Sequence, residues 1–409
     1  MKILYVTSVW TPLYPILYNR ESEVKGMPAF VYVLKKLIEE GNEIDIIFYD
    51  NCMDNERNRY SISSDWFKKV NILKHVYIKD NKSVRKIIST SLGYIKIANA
   101  VKRALNSKKY DFIYGHGPLS EAASHYAKKY KIPFGQRRYG DTYWDLIEKK
   151  GCLYAFLSQP WNYYSYKNKK AFMLATNDGS RVDKTYELIN KGKKPYPFYM
   201  WLNGVPQQPS DITLEIDKAK FQKPYLFYAA RIASWKRQHL ALEILNILKK
   251  RNLEINLFIA GQNDDDQYFN YLSKKIDEYN IKDQVFFIGS VNVQELQYLA
   301  KESLASLSLY DPCNLGNVFI EYFSAGSLVI SCNDGSLDGI VKNNENGFLV
   351  DDMEQAANII ESLLNDEKQW MNIRVKAKET SERMFLSWEK RVSNEIELIK
   401  SAINSVRME

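Results

Sequence analysis

The chain has 409 residues, 45% of them hydrophobic, and 57 Lys+Arg against 49 Asp+Glu give it a net charge of +8. It is too long for one ordinary core, and the mild positive excess suits anionic substrates or an acidic membrane surface without singling out nucleic acid. The four cysteines, Cys52, Cys152, Cys313 and Cys332, have neither metal-ligand nor CxxC spacing, which argues for a reduced compartment and against a disulfide scaffold.

The first segment, KILYVTSV, reads as a buried strand and not as a signal peptide. No segment reaches the roughly 20 apolar residues needed to span a bilayer. The expected location is cytoplasmic, peripheral at most to the inner face of a membrane. PAFVYVLKKLIEE places Phe30, Val33, Leu34, Leu37 and Ile38 on one helical face, with Pro28 in the first turn and Gly41 at the stop. EIDIIFY is the next strand, so residues 1 to 49 form a β-loop-α-β unit. Gly26, just before the helix, either lets a ligand approach the backbone at the positive helix end or is a turn residue.

Residues 82 to 109 predict a basic amphipathic helix with Val84, Ile87, Ile88, Ile95, Ala98 and Val101 as its apolar stripe. It covers the sheet with a solvated outer face, or it docks on a membrane surface. DFIYGH is another strand, and His116 at its end is expected near Arg138 and Asp141 of QRRYGDTYWD, where a doubly wound sheet places ligands. Alternatively His116 is structural, and Arg138 simply pairs with Asp141. Residues Tyr143 to Lys170 mix aromatic side chains with lysines, a composition that fits sugar stacking, a membrane interface or ordinary cover over the sheet. Asn203-Gly204 is a turn signal, and the polar stretch to Lys223 resembles a linker.

Beyond it, YLFYAA, INLFIAG, QVFFIGS, ASLSLY and SLVIS read as strands, separated by helices starting near Arg237, Asp265, Val293 and Val318. They predict a second parallel sheet. Neither sheet's first strand is followed by GxGxxG, and no P-loop is present, so nicotinamide-dependent chemistry lacks its fingerprint. Asp264, Asp265 and Asp266 sit where acidic residues favour a helix start, and no metal is inferred. Arg231 and Lys236 leave the first strand of this half five residues apart, within reach of one diphosphate. Asn314, Leu315, Gly316 and Asn317 precede a helix whose free N–H groups can face an anion, and Glu321 lies one turn in, where a carboxylate can accept bonds from ribose hydroxyls. Surface cations, a capped helix and a solvent-facing Glu are the bland alternative.

In their order these features resemble the retaining GT-B glycosyltransferases of family 4, glycosyl transferases group 1, most specifically from Tyr225 to Val350. ARIASWK is similar to the G-R-x-x-x-x-K motif, with Ala230 in place of Gly. CNLGNVFIEYFSAG is similar to the E-x7-E region, with Glu321 at the second, ribose-binding Glu and Cys313 at the first. NGV at Asn203 and NGFLV at Asn346 also fit. RRYG puts Tyr139 where the family often has a catalytic His. The resemblance implies an α/β fold of GT-B architecture, with two Rossmann-like parallel-sheet domains facing a central cleft. Residues 1–205 would be the acceptor side, 206–385 the donor domain, and a terminal helix within 386–409 would return to the first.

The implied activity is transfer of a sugar from a nucleotide-diphosphate sugar, with UDP the expected base, to an acceptor hydroxyl with retention. Arg231 and Lys236 would neutralise the diphosphate. Glu321 would hold the ribose, while Gly26, Asn314, Leu315, Gly316, Asn317 and Val291 line the donor, and His116, Arg138 and Asp141 are sugar-side or acceptor-side candidates. No cofactor or metal is expected, only the nucleotide-sugar co-substrate and a saccharide or lipid-linked acceptor in surface polysaccharide or glycoconjugate synthesis. With Cys313 and Tyr139 departing from the pattern, Asn314, Asp311 or Asp141 could handle the sugar hydroxyls. A noncatalytic sugar-nucleotide-binding partner of another transferase, and a GT-B epimerase, stay open as alternatives.

Overall fold

Seven short runs rich in Ile, Val, Phe and Tyr pair in parallel to make the first of two sheets: β1 (Lys2–Ser8), β2 (Glu43–Asp50), β3 (Asn71–Tyr77), β4 (Phe112–His116), β5 (Phe134–Arg138), β6 (Phe172–Thr176) and β7 (Phe198–Trp201). The structure is a computed structural model and describes residues 1–18, 20, 24, 26–50, 60–79, 84–206, 221, 224–311 and 313–408. By its contacts the chain divides into a first unit, Met1–Leu202 with Glu389–Glu409, and a second, Asn203–Trp388.

In the first unit the strand order is β3-β2-β1-β4-β5-β6-β7, so the chain reverses its direction of winding between β1 and β4. Loops leaving the carboxyl ends of strands at such a switch point form a crevice. The helix Pro28–Glu39 covers one face with Phe30, Val33, Leu34, Leu37 and Ile38 buried, and ends before Gly41, whose φ of 75° suits a helix stop. Gly26 has a φ of 101°, so its backbone alone favours glycine.

The helix Val84–Ser107 corrects the stripe read from the sequence. Ile97, Val101, Ala104 and Leu105 are buried against the sheet, whereas Ile88 and Ile95, assigned above to the core face, point away from it with Leu92. Gly93 fixes this rotation, because a Cβ there would stand 2.6 Å from the Ile78 side chain. The helix Trp388–Met408 belongs to the same unit from Glu389 onward. Its Glu395, fully buried, accepts from Tyr114 Oη at 2.5 Å and from Arg391 Nη1 at 2.9 Å and lies 3.5 Å from Arg137 Nε.

The second unit carries β8 (Tyr225–Ala229), β9 (Asn256–Ala260), β10 (Val285–Gly289), β11 (Ala305–Ser308), β12 (Val329–Cys332) and β13 (Phe348–Val350), all parallel, in the order β10-β9-β8-β11-β12-β13. Its switch point lies between β8 and β11. The helices Gln238–Lys250, Asp266–Glu278, Val293–Glu302 and Asn317–Ser324 follow β8, β9, β10 and β11. Leu242, Ile244, Leu245 and Leu248 of the first of these join Leu226, Leu257 and Leu307 of the sheet in one core. Each such side chain contributes about 1.5–3 kcal/mol on burial. Asp265 caps its helix by accepting from Tyr268 N at 3.0 Å, and Asn292 with Glu295 forms a reciprocal capping box.

Asn203-Gly204 is not a free turn. Val205 pairs in parallel with Ser387, and a Cβ on Gly204 would lie 2.7 Å from Trp388 Cα, so the glycine is there because two stretches of backbone cross. Among the described residues no helix is long and apolar enough to cross a membrane. Cys152, Cys313 and Cys332 are not joined in disulfides; Cys52 and most of the expected linker to Lys223 lie outside the described residues.

Candidate active site

The loops after β8 and β11 flank the switch point of the second unit, and the structure stitches them together. Three buried tyrosines do much of this. Ala229 N donates to Tyr322 Oη at 2.6 Å, Tyr310 Oη donates to Ala229 O at 2.6 Å, and Tyr228 Oη donates to Lys236 O at 2.5 Å. Asp311 N reaches across to Trp235 O at 3.0 Å. The two cations and the glycine loop, eighty or more residues apart in sequence from Lys236 and Arg231 to Gly316, are therefore held as one construction.

Lys236 has no carboxylate partner among the described residues. Its ammonium lies between two rings, 3.5 Å from the centroid of Tyr310 and 4.1 Å from that of Trp235. Burial, and secondarily the Arg231 charge, lower its pKa to about 8. Arg231 is more exposed and is held by Asp264 at 2.6 Å. The acidic run thus divides its roles: Asp265 caps and Asp264 pairs with Arg231, a function the capping reading missed. Their meeting depends on Gly261, whose φ is 152° and where a Cβ would fall 2.0 Å from Ala230 O.

Asn314 is fully buried. It accepts from Ser308 Oγ at 3.0 Å and Tyr310 N at 2.8 Å, and donates to Asp334 Oδ2 at 2.8 Å and Tyr310 O at 3.2 Å. Its amide is committed to shaping the loop, which leaves it nothing to offer sugar hydroxyls. Leu315 is buried as well. Gly316 has an ordinary extended φ of −126°, and a Cβ there would meet no atom within 4 Å. Neither backbone nor packing requires glycine; a side chain would occupy only the open space before the helix.

The N–H groups of Asn317, Val318 and Phe319 have no acceptor among the described residues, since the helix has no side-chain cap. Unsatisfied N–H groups at a helix start are of the kind that can receive an anion. Asn317 Oδ1 is braced by Asn203 Nδ2 at 2.6 Å. One turn on, Glu321 is partly buried with no partner for its carboxylate among the described residues, and burial raises its pKa to about 7. Val291 is partly buried where the chain leaves β10, two strands from β8.

The expected grouping of His116, Arg138 and Asp141 in one cleft is corrected. His116 is in register with Arg137, so alternation along β5 sends Arg138 to the opposite face of the sheet. There Arg138 pairs with Asp141 and donates to Asn162 Oδ1 at 2.9 Å and Ser165 Oγ at 3.3 Å, bracing the helices Tyr143–Lys150 and Pro160–Lys167. Asp141 also accepts from Tyr143 N at 2.9 Å, just ahead of the first of these helices. His116 instead stacks between Tyr5 and Tyr139, with Nδ1 2.9 Å from Tyr139 Oη. Burial and the Arg137 charge keep it neutral, its pKa well below the usual value. Among the described residues no group of three or more His, Cys, Asp or Glu could hold a metal ion.

Residues 211–380 match the family model of glycosyl transferases group 1, so the second unit resembles that family in sequence as well as in fold. No curated protein matches the chain. Solved structures match it end to end. Alr3699/HepE of Anabaena, crystallised with UDP, is 15% identical over 98% of this chain and 100% of its own, with a TM-score of 0.69. Sucrose-phosphate synthase of Thermosynechococcus elongatus is 14% identical over 99% and 100%, with a TM-score of 0.71. The lipopolysaccharide outer core galactosyltransferase WaaB is 17% identical over 98% and 99%, with a TM-score of 0.64. At these identities the likeness establishes the fold, that of GT-B glycosyltransferases with two Rossmann-like parallel-sheet domains.

Proposed function

We propose that this chain is a retaining glycosyltransferase of family 4 that moves a sugar from a nucleotide-diphosphate sugar to an acceptor hydroxyl. The observation that carries this reading is the convergence of Arg231, Lys236 and the uncapped N–H groups of residues 317–319 at one switch point. Two cations and a helix terminus answer the charge that develops on a departing diphosphate, and loss of one such group costs about 3 kcal/mol of transition-state stabilisation. Glu321 accepts the ribose hydroxyls, Leu315 and Gly316 shape the diphosphate side, and Val291 stands near the base. The anomeric carbon–oxygen bond breaks toward the diphosphate, whose oxygen takes the acceptor proton as the new bond forms on the same face. That proton transfer requires neither a metal ion nor a separate protein base.

UDP is the expected nucleotide, in keeping with the Alr3699/HepE complexes with UDP and UDP-glucose. The acceptor is a saccharide or lipid-linked saccharide of a surface polysaccharide or glycoconjugate. Isothermal titration with UDP, GDP and their sugars tests the reading. Absence of heat from every nucleotide diphosphate would overturn it.

A second reading, a noncatalytic sugar-nucleotide-binding partner, is favoured by Cys313 and Tyr139 at the two positions where the resemblance expects a Glu and a His. Donor binding with no nucleotide diphosphate released across acceptor panels would select it.

A further inference from the structure

The helix Val84–Ser107 is apolar on two opposite faces. One is buried through Ile97, Val101, Ala104 and Leu105; on the other, Ile88, Leu92 and Ile95 are 57%, 54% and 54% exposed. The spacing i, i+4, i+7 makes these three one stripe. A second helix, Cys152–Ser158, exposes Leu153, Tyr154 and Leu157 by 71%, 52% and 61%. The two helices face each other across a groove of about 890 Å³, with Lys86, Ile87 and Thr90 on one wall and Tyr154 and Leu157 on the other. Large apolar side chains gathered on adjacent helices differ from the scattered single ones ordinary on a protein surface.

Every charged side chain of these two helices and of the Lys149-Lys150 pair before the second is basic; of the carboxylates nearby, Asp50 in the groove is buried and accepts from Tyr14 Oη at 2.9 Å, and Glu148 lies 3.6 Å from Arg181. No Asp or Glu occurs from Asn81 to Tyr110 or from Lys149 to Asn177. Lys86, Lys96, Lys149 and Lys150 are exposed and have no carboxylate partner among the described residues. We propose that the first unit docks on an anionic phospholipid surface through these two helices. Ile88, Leu92, Ile95, Leu153 and Leu157 enter the acyl boundary, and the lysines meet lipid phosphates. A second copy of the chain is a poorer occupant, because self-docking would set these unpaired lysines against one another.

The test is co-sedimentation of the full chain with vesicles of phosphatidylcholine alone and of phosphatidylcholine with about 30% phosphatidylglycerol. Binding to the anionic vesicles only, weakened by salt, is expected. Ile88→Ser with Leu92→Ser and Leu153→Ser with Leu157→Ser lower it about tenfold or more, and Lys149→Glu with Lys150→Glu about tenfold. All six positions are exposed, so thermal unfolding is unchanged and serves as the folding control. Equal binding to neutral vesicles, binding to neither, or retention in the serine variants would overturn the proposal. So would a dimer, seen by sedimentation equilibrium, that the serine variants abolish. Nucleotide titration of the same samples reads the donor site separately, so failure of either proposal leaves the other standing.

Discussion

The ammonium of Lys236 lies 3.5 Å from the ring centroid of Tyr310, whose own hydroxyl is fixed on Ala229 O. A cation so placed is partly desolvated but not neutralised, which leaves it available to an anion. Its pKa of about 8 makes donor binding sensitive to pH. Affinity for UDP falls as pH rises through about 8, and Lys236→Met removes both the affinity and that pH dependence, with turnover down by about 10²–10³-fold. For folding the sign is opposite. The unfolded chain holds this proton more tightly, so stability rises with pH between about 8 and the ordinary lysine value. Titration calorimetry over a pH series checks the first, and thermal unfolding the second.

Glu321 titrates in the other direction. Its pKa of about 7, raised by burial, means that the folded chain binds more protons than the unfolded one between the ordinary carboxylate range and about 7. The associated stability is present below the ordinary carboxylate range and is lost as pH rises through about 7. At about pH 8 Glu321→Gln is therefore expected to be more stable than the parent chain by about 1–3 kcal/mol. It binds UDP roughly tenfold more weakly, since the ribose hydroxyls lose a charged acceptor. A variant that gains stability while losing affinity marks a residue kept for binding; a loss of both would return Glu321 to a structural role.

Gly316 and Gly261 separate a ligand requirement from a folding requirement. A methyl group at Gly316 meets open space in an extended backbone, whereas at Gly261 it falls 2.0 Å from Ala230 O. Gly316→Ala is expected to unfold at the parent temperature yet bind UDP more than tenfold more weakly by obstructing the helix terminus. Gly261→Ala loses more than about 3 kcal/mol of stability or does not fold. Thermal unfolding with and without UDP distinguishes the two.

What could be read in the residues follows from which constraints are local. The strands of the second unit were legible because buried parallel strands are continuous apolar runs, and the helix starts near Arg237, Asp265 and Val293 carry short-range signals. β3 was not, since as an edge strand it buries little beyond Val76 and reads as the mixed sequence NILKHVY. The helix Val84–Ser107 was legible as a helix but not in its rotation, because apolar residues lie on two faces and only the contact of Gly93 with Ile78 chooses between them. His116 and Arg138 were grouped by their place at strand ends, but register with Arg137 decides the face. Tyr228, Tyr310 and Tyr322 look like core in sequence, and only their hydroxyl bonds reveal that they brace the site.

Asp264 tests whether Arg231 is held ready or held back. The bridge of Ile232 to Asn263 and the bond from Asp264 N to Ile232 O set the pair in register, and the arginine remains 60% exposed. An exposed pair contributes little to stability, about 0–1 kcal/mol, so Asp264→Asn leaves the unfolding temperature nearly unchanged. A diphosphate arriving at Arg231 must displace a carboxylate and then tolerate its negative charge nearby, and both costs vanish in the variant. UDP is therefore expected to bind Asp264→Asn about two- to tenfold more tightly, with a weaker dependence on salt than a new surface charge would produce. Weaker binding would instead mean that the carboxylate orients the guanidinium for the phosphate. Asp264→Glu separates these cases, because it preserves the charge while moving it outward by one methylene: competition predicts parent-like affinity, and orientation predicts a loss.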